Sequence, residues 1–185
     1  MSNYRRNFIP GGTYFFTMVT YNRKPIFKNN EAKKLFWHIY LEVQKQKPFT
    51  SEVFCLLPDH LHCIWTLPES DSDYSVRIKE IKRRFTYMYQ KIYSMKQVQT
   101  PDSRKRKKEG LIWQRRFWEH TIRDTNEYNW YMNYIHWNPV KHGYVESPAD
   151  WEFTSFHRYV TNGVYPVDWT NESNDNSLNI HREWE

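Results

Sequence analysis

The 185 residues, with a net charge of +6 and 39% hydrophobic side chains, match one domain with a real core. No run reaches the roughly 18 apolar residues of a membrane span, and Met1-Ser-Asn-Tyr-Arg-Arg lacks a signal peptide's apolar stretch. A soluble, cytoplasmic protein without a membrane partner is expected. The two cysteines, Cys55 and Cys63, exclude a disulfide framework and a Cys-rich zinc site. Basic charge combined with 18% aromatic residues, nine of them Trp, favours single-stranded nucleic acid: its phosphates take the charge and its unstacked bases take the rings. Any one of these rings, taken alone, is more simply a core residue.

In chain order, Gly11-Gly12 reads as a turn and Thr13 to Tyr21 as a first strand. Asn30 caps a helix from Glu31 to about Lys47, with a stripe of Leu35, Phe36, Ile39 and Val43 and a stop at Pro48. Ser51 to Leu57 and His60 to Leu67 form two strands joined by a tight turn at Pro58-Asp59. Ser72 or Asp73 opens a second helix with Ile78, Ile81, Phe85, Met88 and Ile92 on one face. Residues 97–110 form a polar, basic loop containing Arg104-Lys105-Arg106-Lys107-Lys108. A fourth strand spans Phe117 to Ile122. Asp124 with Glu127 makes a capping box for a third helix that runs to Asn138-Pro139. The order β-α-β-β-α-β plus a helix predicts an α+β fold, a ferredoxin-like (RRM-like) four-stranded antiparallel sheet with helices on one face. The third helix is then the natural cover for the other face. One domain is expected over residues 1–166, and 167–185 read as a polar C-terminal tail.

The segment Asp59-His60-Leu61-His62-Cys63 is the most informative. Side chains two apart in a strand share a face, so His60 and His62 project together while Leu61 and Cys63 enter the apolar side. Two neutral imidazoles there suit a divalent metal; the competing reading is a core histidine bonded to a backbone carbonyl. On the third helix Tyr134 and Asn138 lie four apart and share a face. If that face packs on the sheet, both approach the histidine pair, and the Asn138 amide oxygen can complete a metal shell. The same stripe, flanked by Tyr131 and Ile135, also fits an ordinary amphipathic helix. Pro139 predicts a kink or break at Asn138.

Further sets of residues point to a known family. They are Tyr4-Arg5-Arg6, Gly11-Gly12-Thr13, Leu57 through Pro68 around His60-Leu61-His62, Arg116-Phe117-Trp118-Glu119-His120, Tyr134-Ile135, Asn138-Pro139-Val140-Lys141-His142-Gly143 and Trp151 through Arg158. Through them the chain resembles the REP-associated tyrosine transposases, a branch of the single-tyrosine HUH superfamily, over about residues 1–170. HUH denotes two histidines around a hydrophobic residue. The resemblance implies an HUH endonuclease architecture and a metal-dependent enzyme that nicks and joins single-stranded DNA at palindromic REP hairpins through a 5′-phosphotyrosine intermediate. It implies His60 and His62 as metal ligands, Asn138 as the third ligand, Tyr134 as the nucleophile, and Mg²⁺ or Mn²⁺ as the metal.

The 97–110 loop is longer and more basic than the family leads one to expect. Arg5, Arg6, Lys79, Lys82, Arg83, Arg84, Arg115 and Arg116 are candidates for DNA backbone contact, each equally readable as a solvated surface charge. Trp113 and Trp118 are candidates for base stacking. A monomer in which Tyr134 attacks within its own chain is preferred, with a dimer left open. The residues taken alone also admit a non-catalytic nucleic-acid-binding module, which needs neither the His pair nor Tyr134. A replication initiator or relaxase is a further reading, usually larger and often with two tyrosines; so is a metal-dependent hydrolase that uses water in place of Tyr134.

Overall fold

A computed structural model describes residues 6–93 and 110–170. Arg5, the Arg104 to Lys108 run and all of the 97–110 loop except Gly110 lie outside the described residues. The strands are β1 (Thr13–Val19), β2 (Thr50–Leu56), β3 (His60–Thr66) and β4 (Trp118–Thr121). The helices are α1 (Asn30–Gln46), α2 (Tyr74–Ile92), α3 (Thr125–Lys141) and the short α4 (Phe156–Thr161). The sheet order is β2-β3-β1-β4, and all three pairings are antiparallel. This is the ferredoxin-like arrangement expected from the element order.

Capping chemistry sets the helix starts. Asn29, not Asn30, caps α1, its side chain accepting from the N–H groups of Glu31 and Ala32. Asp73 caps α2 through the Val76 N–H. Asp124 caps α3 through the Glu127 N–H at 2.8 Å. Glu127 reaches back to the N–H of Arg123 rather than to Asp124 itself, so the capping box is displaced by one residue. The expected break at Asn138 does not occur: α3 continues through Pro139 to Lys141. Pro139 lies in the last turn, where the helix has only two residues left to disrupt. At the predicted first turn Gly11 has φ +68, and a Cβ on Gly12 would stand 2.8 Å from the Ile9 carbonyl oxygen. Only glycine fits both demands.

The sheet separates two cores. On one face α1 and α2 pack Phe36, Tyr40, Ile78, Ile81 and Phe85 against Tyr14, Phe16, Met18, Leu61, Cys63 and Trp65. On the other, α3 packs Tyr131, Met132, Tyr134 and Ile135 against Phe15, Val53, Cys55 and Ile64. The third helix covers the free face as expected. The chain after α3 ties it down. Trp151 Nε1 donates to the Leu56 carbonyl, and the N–H groups of Leu56 and Ser155 bond to the carbonyls of Phe153 and Phe54. Packing reaches Trp169, whose ring meets Tyr165, Phe156 and Trp137. No described helix is long and apolar enough to cross a membrane.

Candidate active site

The histidine pair sits in the middle of the fold. His60 and His62 are each 1% exposed on β3, with ring centroids 4.8 Å apart. Each is oriented through Nδ1. His60 Nδ1–H donates to Asp59 Oδ1 at 2.6 Å, and Asp59 Oδ2 accepts from Arg23 Nη1 at 3.0 Å. His62 Nδ1 pairs with Thr17 Oγ1 at 2.9 Å, from the neighbouring strand β1. With both Nδ1 atoms engaged, both Nε2 atoms are buried and have no hydrogen-bond partner. A buried polar atom in that state costs about 1–3 kcal/mol, and an imidazole oriented by a carboxylate at one nitrogen presents the other as a ligand.

Burial drives the His62 pKa well below the ordinary histidine value, and the charges of His60, His142, Lys141 and Arg23 add to it. The ring is therefore neutral and its lone pair available at neutral pH. Burial alone would raise Asp59, but the His60 bond and Arg23 outweigh it and hold the carboxylate below its usual range. The carboxylate is thus charged and able to orient His60.

Helix α3 lies across this pair. The Tyr134 ring is 5.3 Å from the His62 ring, and the His142 ring is 5.3 Å from the His60 ring. Asn138 lies midway between these two contacts on the helix. It is fully buried, and neither its Oδ1 nor its Nδ2 has a hydrogen-bond partner. Among the described residues no third His, Cys, Asp or Glu completes a metal-holding group with the pair. The Asn138 amide oxygen is one additional donor available beside the pair, and His142, whose Nε2 is also buried and unpartnered, lies on the His60 side. Three unpartnered donor positions gathered on one buried face fit a hard divalent cation sharing its shell with water and phosphate.

Tyr134 is 6% exposed. It stacks on Trp130 at 5.6 Å with planes 4° apart and meets Phe15 edge-on at 6.0 Å. Lys141 Nζ stands 5.1 Å from the ring centroid, a cation suited to negative charge developing nearby.

The fold thus brings together His60, His62, Tyr134 and Asn138, all predicted from sequence. The basic candidates lie elsewhere. Arg6 covers Phe117 at 4.1 Å and bonds Ser75. Arg83 and Arg84 pair with Glu80 on α2. Arg115 and Arg116 are exposed in the segment before β4. Trp113 is a core ring at 5% exposure, set among Phe27, Phe36 and Phe85, and not an open stacking platform. Sequence reasoning did not assign roles to Asp59, Arg23, Thr17, Lys141 or His142. Asp59 had a local signal, because it directly precedes His60 in the turn. Arg23 had none: it reaches Asp59 from a bend where Asn22 and Arg23 both take positive φ.

A tyrosine ring thus lies beside a buried histidine pair, and the chain belongs to the family described as transposase IS200 like, whose model matches residues 10–138. Within that family it falls with the REP-associated tyrosine transposases. It is 42% identical over 177 residues to the one from Escherichia coli (strain K12), covering 95% of this chain and 94% of the relative. It also matches the solved structure of a REP-associated tyrosine transposase bound to a REP hairpin, with TM-score 0.77, 41% identity and 93% of each chain covered. The protein is a DNA-processing enzyme, and its family implies a divalent metal.

Proposed function

We propose that this chain nicks and rejoins single-stranded DNA beside REP-like palindromic hairpins, with Tyr134 as the nucleophile and His60, His62 and Asn138 as the metal ligands. The observation that carries the reading is the set of unpartnered buried atoms, Nε2 of His60 and of His62 and the Asn138 amide, beside the Tyr134 ring. Structural histidines and asparagines in a core are hydrogen-bonded; these are held open.

Tyr134 Oη attacks phosphorus, forming a P–Oη bond as the P–O3′ bond breaks. The phenol gives up its proton and the departing 3′-oxygen gains one, leaving a 5′-phosphotyrosine and a free 3′-hydroxyl. Attack by another 3′-hydroxyl reverses the exchange and joins strands without a nucleotide cofactor. A bound divalent ion supplies Lewis-acid polarisation of a non-bridging phosphate oxygen. Two imidazoles favour Mn²⁺ in affinity, whereas the amide, water and phosphate oxygens suit Mg²⁺. Asp59 and Thr17 fix the imidazole orientations, and Trp130 and Phe15 fix the Tyr134 ring. Because Tyr134 meets His62 of its own chain, attack in cis by a monomer fits the geometry.

Incubating the protein with Mg²⁺ or Mn²⁺ and hairpin oligonucleotides copied from repeats beside the encoding gene should give a covalent adduct, seen as a shifted band on a denaturing gel. Tyr134→Phe should abolish the adduct and keep DNA binding. An adduct formed by the Phe variant would falsify the assignment.

A further inference from the structure

We infer that a groove between the second half of α2 and residues 110–115 holds the single DNA strand that leads away from the cleavage site, binding its phosphates and stacking one unpaired base. This rests on the proposed function above and adds a second, separate contact surface to it.

The groove encloses about 420 Å³ and includes Lys82, Arg83, Tyr87, Gln90, Trp113 and Arg115 in its lining. That volume admits one nucleotide unit and not a duplex. Its charge is positive and open to partners. Arg115 is exposed and has no acidic partner among the described residues. Arg83 meets Glu80 through Nε and Nη2. Lys82 spends one N–H on the Gln114 carbonyl at 2.7 Å, with its ammonium 5.8 Å from the Trp113 ring centre. Burial, then the charge of Arg6, lowers Lys82 to about 8, so it remains largely charged at neutral pH. Tyr87 is 63% exposed, an aromatic face set among cations, as a single strand requires.

A second groove among the described residues makes a contrast. It lies beside β2 and has a volume of about 480 Å³, with Trp37, Phe54 and Phe153 in its wall. Its guanidinium, Arg158, is committed to the carbonyls of Ser51 and Glu52, and no other cation lines it.

The position of the basic groove ties it to the catalytic centre. Trp113 bridges to Thr20 and the Gln114 N–H bonds the Val19 carbonyl, while Val19 is the cross-strand partner of His60. The groove's floor therefore joins the sheet at the end where His60 begins β3, with the groove on the α1–α2 face and the histidine rings on the α3 face. A strand leaving the site around that end meets the groove next.

Fluorescence anisotropy on the full chain tests this. The probe is the same hairpin, labelled, with a short thymidine tail on its 5′ side, on its 3′ side, or with none. One tail should tighten wild-type binding by about tenfold. Tyr87→Ala should remove about fivefold or more of that gain. Arg83→Gln with Arg115→Gln should lower the log–log salt slope on the tailed probe by about 1.4. All three side chains are exposed, so unchanged melting curves should exclude misfolding. The inference fails if neither tail changes wild-type affinity, or if the variants weaken tailed and untailed hairpins equally, which would place the groove on the duplex stem. The wild-type adduct assay separates the two readings. An adduct through Tyr134 with no tail effect sinks the groove alone; a tail effect without an adduct sinks the proposed chemistry.

Discussion

Helix α3 contributes to two buried polar clusters with opposite character. At one, His136 is 1% exposed and both ring nitrogens are engaged, Nε2 with Ser155 Oγ at 2.8 Å and Nδ1 with the Tyr165 hydroxyl at 3.3 Å. At the other, His60, His62 and Asn138 are as deeply buried and keep unpartnered atoms. The first cluster closes a clamp: Ser155 also holds β2 through the Phe54 N–H, and Tyr165 donates to Asn133. The second stays open at a cost in stability. Burial alone does not separate a structural histidine from a functional one; the state of its second nitrogen does.

The largest expected effect breaks the open cluster. His62→Leu should lower adduct formation by about 10³-fold, corresponding to several kcal/mol of lost Lewis-acid stabilisation. Stability should change by under about 1 kcal/mol, because the lost Thr17 hydrogen bond is offset by removal of the buried, unpartnered Nε2. A cleavage rate near wild type in gel assays would remove His62 from the chemistry. The mirror-image change, His136→Leu, should cost about 2 kcal/mol in urea denaturation, because it strips hydrogen bonds from Ser155 and Tyr165. The folded fraction of that variant should still form the adduct. Asp59→Asn should weaken Mn²⁺ binding, measured by calorimetry, by about 10- to 100-fold, as loss of an orienting partner does. An unchanged affinity would mean that Asp59 serves only its pairing with Arg23.

The smallest effect concerns pH. Burial, then the charges of Arg158 and His157, lowers His136 to about 3, so the unfolded chain binds its proton first as pH falls from about 6.5. Stability from this residue is full above that pH and is lost as pH falls towards about 3. It should drop by about 1 kcal/mol between pH 7.5 and 5.5. His136→Leu should flatten that part of the pH–stability curve, and an unaltered slope would assign the acid sensitivity to the other depressed histidines, His62 and His142.

The strands, the three long helices and the covering role of α3 were legible in the sequence because each has a period, a cap or a turn residue of its own. The same holds for His60 and His62, whose shared face follows from strand alternation, and for Asn138, four residues after Tyr134. The element ends were less legible. Asn29 competes with Asn30 for the cap of α1, and Pro139 reads as a stop although it falls where few helical bonds remain. Local pattern also could not show that Arg23 reaches Asp59 or that His142 meets His60, since both contacts are made by the fold. Trp113 was misread as a stacking surface because a tryptophan in a polar stretch looks exposed until Phe27, Phe36 and Phe85 are seen to surround it.

The clamp that follows α3 also sets when the enzyme becomes dangerous to DNA. His60 and His62 are made early in synthesis, while Tyr134 is more than seventy residues later, and the segment that follows its helix is bonded to β2 through residues 151–155. These are high-contact-order pairings, which form late because long loops must close first. A nascent or truncated chain would therefore hold the two imidazoles without the Tyr134 ring seated beside them. With Tyr134 as the proposed nucleophile, strand cutting would wait until the last part of the domain had arrived.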